Sequence, residues 1–152
     1  MTGAEADGVA RAVFSGNRYM TLGTADEDGR PWVSPVWFAR AGYEELFWVS
    51  KPGARHSRNI AGRPQVSIVI FDSQVPAGSA AAVYMEAVAE ELSGAELARG
   101  IDVFGRESAA QGLSVWTLAD VTARARHRLY RAVVTERWVL DPRDERVPVS
   151  LA

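Results

Sequence analysis

"LFWVSKPGARHSRNIAGRPQVSIVI", Leu46 to Ile70, is the stretch whose reading decides the fold. Its two ends are apolar runs of strand length, rich in β-branched and aromatic residues: Glu45 to Ser50 and Gln65 to Phe71. Between them Pro52-Gly53 breaks the first strand. Ala54 to Ala61 then reads as a short helix, which Gly62-Arg63-Pro64 ends. The middle is basic. Lys51, Arg55, His56 and Arg58 crowd beside Ser50 and Ser57, and no acid occurs from Leu46 to Phe71. One reading of such a cluster is a solvated helix face, since exposed charges need no partner. The other is an anion site, because a strand-to-helix corner supplies unpaired N–H groups and a helix N-terminus favours negative charge. Ser50 and Ser57 add hydroxyls to the guanidinium fork of Arg55, a donor set that suits phosphate oxygens.

Upstream, Ala4 to Ser15 forms a helical pattern with Val9, Val13 and Phe14 on one side. Arg18 to Ala25 reads as a strand and Asp26 to Arg30 as a hairpin turn, because Asp-Gly tolerates positive φ. Pro31 to Ala39 is the returning strand. Pro35 cannot donate to a ladder, so an edge, a bulge or a kink is expected there. Backbone groups freed around Ser34, Pro35, Val36 and Trp37 suit the edge of a flat heterocycle, and Trp37, Trp48 and Trp116 offer stacking surface. "RAGYEE" reads as a turn. Downstream, Ala80 to Leu92 suits helix by composition and strand by alternation; strand is preferred, because a clear helix follows from Ser93, its expected N-cap, to Phe104. Residues 105–116 read as irregular, 117–126 as holding one more helical turn, and 127–142 as a last long strand. In all, about six strands and two or three helices are expected, mostly antiparallel. The fold class is mostly β with flanking helices, a closed or split β-barrel.

Composition narrows the function. At 152 residues the chain is long enough for one domain with a real core. Its net charge of −2 argues against nucleic-acid binding. The absence of cysteine removes thiolate sites and disulfides, and the presence of only two histidines, His56 and His127, argues against a His-based metal site. No run approaches a membrane span and the start lacks a signal-peptide pattern, so a cytoplasmic protein is expected.

"TADEDGRPWVSPVWF" followed by the opening stretch resembles the pyridoxamine 5′-phosphate oxidase-like flavin-binding split barrels. The shared marks are Gly29 and Pro31, a strand ending Val49-Ser50, Arg55 with His56, Asn59-Ile60, Pro64, and Val66 to Phe71. The resemblance covers about Asn17 to Leu92 well and the last strand more weakly. It implies a single flavin-binding domain over 1–152; the residues themselves give it an N-terminal helix to residue 16 and a charged tail, expected to be loose, from 143 to 152. It further implies an FMN-dependent oxidoreductase acting on a small molecule, and a homodimer with the cofactor at the interface. Ser50, Lys51, Arg55, His56 and Ser57 would hold the phosphate, while Ser34 to Trp37 and Val49 would line the rest. Trp116 and Arg131 would reach the partner's flavin. Three features depart from the best-known oxidases: His56 replaces a second basic residue, Ser34 replaces an arginine, and their C-terminal Arg-x-His motif is not legible here. No catalytic side chain stands out. Two alternatives stay open: a reductase using the deazaflavin coenzyme F-420, or a non-enzymatic flavin- or haem-binding protein on the same scaffold.

Overall fold

The structure, a computed structural model, describes residues 1–151. Its elements are α1 (Gly3–Gly16), β1 (Tyr19–Ala25), β2 (Pro31–Trp37), β3 (Ala39–Ala41), β4 (Glu45–Ser50), α2 (Arg55–Gly62), β5 (Gln65–Phe71), β6 (Ala82–Glu91), α3 (Gly94–Ala110), a 3-10 turn (Leu118–Val121), β7 (Arg128–Leu140) and β8 (Arg146–Pro148). All strand pairs are antiparallel, in the order β2-β1-β5-β6-β7-β4-β3, with β8 added on β7. The two ends of this order are consecutive in the chain. Strand β2 pairs with β1, Phe38 turns the chain, and β3 pairs with β4. The backbone N–H of Phe38 still donates to the carbonyl of Arg18, so the turn stays tied to the β1 side. One bent strand thus closes the sheet into a split barrel.

Local chemistry explains most of these elements. The Thr2 side chain accepts from the Glu5 N–H, and Glu5 accepts from the Thr2 N–H, a capping box that starts α1. The β1–β2 turn is built on Asp26, whose Oδ1 accepts from the N–H groups of Asp28 and Arg30 at 2.9 Å each. Gly29 takes φ +82°, which a side chain would resist. Pro35 lies opposite Thr21 in an unbroken β1–β2 register. Of the three accommodations expected for it, the edge position is the one observed, and the bend comes three residues later.

Two apolar clusters hold the fold. The barrel interior contains Met20, Leu22, Leu46, Trp48, Ile68, Ile70, Val83, Met85 and Val139, with Ala6, Ala10, Val13 and Phe14 of α1 packed into it. The second lies outside the barrel, where Leu97, Ile101 and Phe104 of α3 cover Ala39, Phe47 and Leu129. Gly100 permits this approach. A Cβ there would sit 2.9 to 3.1 Å from side chains of Leu92, Phe47 and Leu129.

Several expectations require correction. Eight strands replace six, because Ala39–Ala41 pairs with β4 and Arg146–Pro148 pairs with β7. Helix α3 runs on to Ala110, taking in the first six residues of the segment read as irregular, and its N-cap residue Ser93 makes no side-chain cap bond. The tail is not loose. Arg146–Pro148 pairs with β7, Ser150 bonds Asp7 and Arg137, and Leu151 is buried. Ala152 lies outside the described residues. Residues 82–91 are strand, as preferred.

Candidate functional site

The basic corner forms where β2, β4 and α2 meet. Ser50 ends β4, and its Oγ lies 2.7 Å from Nε2 of His56 in the first turn of α2. Arg55 reaches the other way, its guanidinium 4.3 Å from the ring centre of Trp32 on β2, a cation–π contact. Asn59, buried on the inner side of α2, donates to Thr24 Oγ1, which donates to the carbonyl of Trp32. These bonds fix the helix start against the hairpin. Sequence reasoning missed Trp32 and Thr24. Both lie in the β1–β2 hairpin, Thr24 on the outgoing strand and Trp32 on the returning one, but the packing of α2 over that hairpin is a tertiary fact.

The start of α2 is electrostatically incomplete. Its N-cap residue is Ala54, which has no side chain to cap the first-turn N–H groups. Lys51 and Arg55 are exposed and form no ion pair among the described residues. The fold does bring acids that the sequence around the corner lacks: Asp26, Glu27 and Asp28 of the hairpin line a shared cleft with Arg30, Arg55, Arg58 and Asn59. Asp26 is already engaged, however. Hydrogen bonds from the Arg30 and Asp28 backbone hold its carboxyl below the usual range, with the Arg30 and Arg55 charges adding to the effect. Arg30 also lies 3.8 Å from Asp28. The cations at the corner therefore keep capacity for a further anion.

His56 is half-buried, and burial holds its imidazole below the ordinary value, so it is neutral at pH 7. The ring at this position is thus neutral and hydrogen-bonded to Ser50. Because the unfolded chain binds a proton that the folded chain resists, stability is full above the ordinary histidine value of about 6.5 and falls as pH drops toward the folded value. The stability difference between wild type and His56→Gln should therefore narrow on acidification from pH 7.5 to 5.5, followed by thermal melts. A difference that stays constant across that range contradicts the assignment.

The remaining candidates separate. Ser34 is half-buried opposite Leu22, Pro35 is exposed, and Val36 is buried in the barrel, so Val36 can offer a ligand only its backbone. Trp37 packs edge-on against Phe104 and donates to Gln111. Val49, paired with Leu129, is half-buried beside the second cluster. Ser57 is buried and opens into a different cleft from the one Arg55 lines. The Trp116 ring is engaged within its own chain, between Phe104 and His127. Arg131 is committed as well: it joins Glu45 and Glu90 at 3.0 and 2.7 Å and also contacts Glu96, tying α3 to the barrel. Among the described residues no group of histidine and acid side chains could hold a metal ion. No described helix is long and apolar enough to cross a membrane.

The outer face of the sheet carries a second feature. A groove lined by Gly23, Val33, Ser67 and Glu86 runs across β1, β2, β5 and β6. Apolar side chains flank it in the open, including Tyr19 and Val33 at 60% and 64% exposure and the cross-strand pair Val88 and Val133.

Residues 6–139 match the family model of pyridoxamine 5′-phosphate oxidase. The chain belongs to that family. The solved structures that share its fold are diverse. A haem-binding protein from Mycobacterium smegmatis superposes with TM-score 0.74 at 22% identity, over 95% of this chain and 57% of its own, so the chain spans little more than half that protein's length. HutZ, the haem storage protein of Vibrio cholerae, gives 0.65 at 24%, over 83% of this chain and 87% of its own. A putative pyridoxamine 5′-phosphate oxidase from Listeria innocua gives 0.65 at 13%, over 88% and 97%. At these identities the likeness is one of fold. No curated protein matches the sequence.

Proposed function

We propose that this family member binds FMN and acts as an oxidoreductase on a small molecule. The observation that carries the reading is the uncapped start of α2 flanked by two unpaired cations, Lys51 and Arg55. An eight-residue helix with alanine at its N-cap leaves its first-turn N–H groups without a side-chain cap, and a phosphate would cap them while meeting the Arg55 fork. Lys51 and the Ser50 hydroxyl stand beside it. The free edge of β2 from Ser34 to Trp37 would offer backbone groups to the flavin rim. Bound there, the flavin supplies the hydride or electron transfer, while these residues bind and orient it.

The same reading includes a homodimer. Exposed apolar residues along the outer-face groove are what a second copy would cover, and the Arg55 corner is open to solvent on the side a partner would close. The deazaflavin coenzyme F-420 shares the phosphate chemistry and would use the same corner. Haem is the second reading. It is supported by the haem-binding and haem-storage proteins of like fold and by the neutral state of His56, which a haem ligand requires.

The purified protein tests these readings directly, through its absorbance spectrum followed by titration with FMN, F-420 and haemin, and by light scattering. Flavin bands, or saturable FMN binding to a dimer, are the expected result. A Soret band with no flavin uptake would replace FMN with haem, and binding of F-420 alone would replace it with the deazaflavin.

A further inference from the structure

Of the 17 lysines and arginines in the chain, Lys51 is the only lysine, and so the only side-chain amine. The arginines offer no substitute, because a guanidinium stays protonated and does not act as a nucleophile at neutral pH. Lys51 is exposed, and among the described residues its ammonium meets no carboxylate at ion-pair distance. Its backbone is held in place. The Ala54 N–H donates to the Lys51 carbonyl at 3.0 Å, closing a turn over Pro52-Gly53 just before α2. Arg58 braces that turn by donating to the carbonyl of Gly53 at 2.7 Å. Arg55 is steadied from the other side by its contact with Trp32. A long amine is thus fixed at its root, four residues from a guanidinium fork whose position is set.

A lone primary amine beside a phosphate-binding fork is placed to consume an acyl phosphate as well as to bind it. We propose that Lys51 is a modification site, acylated by small acyl phosphates, and that the modification lowers the affinity of the corner for phosphate. This rests on the phosphate reading of the corner given above. With the phosphoryl oxygens on the Arg55 fork, the acyl carbonyl lies within reach of the Lys51 amine. The amine lone pair attacks the carbonyl carbon, a C–N bond forms, and the C–O bond to phosphorus-bound oxygen breaks. Inorganic phosphate leaves with the electron pair of that bond, and the amine proton passes to solvent. Binding raises the local concentration of the reagent, so this amine reacts faster than one free in solution. The product amide is uncharged, which removes one of the two unpaired cations from the corner.

The test uses the full chain and two acetyl donors: acetyl phosphate, and N-acetoxysuccinimide, which carries no phosphate. Peptide mass spectrometry reads acetylation at Lys51 against the N-terminal amine of the same molecule, since α-amines ordinarily react ahead of lysines near pH 7. The ratio of Lys51 to N-terminal acetylation should be about tenfold higher with acetyl phosphate than with the neutral donor. Arg55→Gln should bring the two ratios together, and added inorganic phosphate should lower the first by competition. FMN affinity should fall about tenfold in the acetylated protein, the loss of one charge-assisted contact, while Lys51→Arg should keep its affinity through the same treatment. Equal ratios from the two donors, or a ratio indifferent to Arg55→Gln, would overturn the proposal even where FMN binds. So would an acetylated protein with unchanged FMN affinity. Arg55-dependent acetylation of Lys51 in a protein that takes up no FMN would uphold the modification site and remove the flavin reading instead.

Discussion

Arg55→Ala is expected to weaken FMN binding between tenfold and a hundredfold, with little change in the melting temperature. The fork of Arg55 is exposed and unpaired, so its removal leaves no buried charge behind. What is lost is one charge-assisted contact to phosphate, worth roughly 1.5–3 kcal/mol. The stacking on Trp32 adds only about 0.5–1 kcal/mol to the fold at such an exposed site. Riboflavin, which lacks the phosphate, makes the comparison specific. Its affinity should be the same for wild type and variant in a fluorescence-quenching titration. Arg55→Lys should fall between, since it keeps the charge and loses the planar fork. Equal losses for FMN and riboflavin would move Arg55 away from the phosphate. No loss for either would remove the corner from the site.

Phe104→Ala should have the largest effect on the fold itself. The ring is 2% exposed and meets Trp37 and Trp116 edge-to-face, with ring centres 5.2 and 5.8 Å away. Truncating a buried phenylalanine costs about 3–5 kcal/mol, which in a chain of this size lowers the melting temperature by about 10 °C or more. The loss should also reach function, because Trp37 ends the strand proposed to line the flavin. FMN affinity should fall even at temperatures where the variant is folded, whereas Phe104→Leu should restore most of both. Chemical denaturation followed by tryptophan fluorescence checks the first part. A cost below about 1 kcal/mol would mean that the outer cluster collapses around the gap and does not hold Trp37.

What was legible in the sequence follows from how local each feature is. The Asp26–Arg30 turn is coded by its own residues, since Asp26 bonds two backbone groups within four positions and Gly29 takes the positive φ. The strand–helix–strand unit from residue 45 to 71 was equally readable. Helix α3 was cut short because Gly105 looks like a breaker. In the fold it is a contact point: a Cβ there would lie 2.5 Å from the carbonyl oxygen of Trp116, so glycine lets the loop lie against the helix. The last strand pair escaped notice because three residues carry too little pattern, and β8 exists only by pairing with β7. At the site, the cations were visible and their surroundings were not. The hairpin acids and Trp32 arrive from the preceding hairpin, beyond two intervening strands, and the inward turn of Ser57 depends on which helix face meets β6 and β7.

The bend at Phe38 bears on how the molecule assembles. The β1–β2 and β3–β4 hairpins can each zip from their own turns, but β4 gains its second partner only when β7 arrives from the far end of the chain, Glu45 opposite Val133. Joining such distant segments carries a large loop-closure cost, and proteins dominated by it fold slowly. Until that last seam forms, the edges of β4 and β6 lie bare in a nascent chain, which makes the interval before β7 emerges the period most exposed to misassociation.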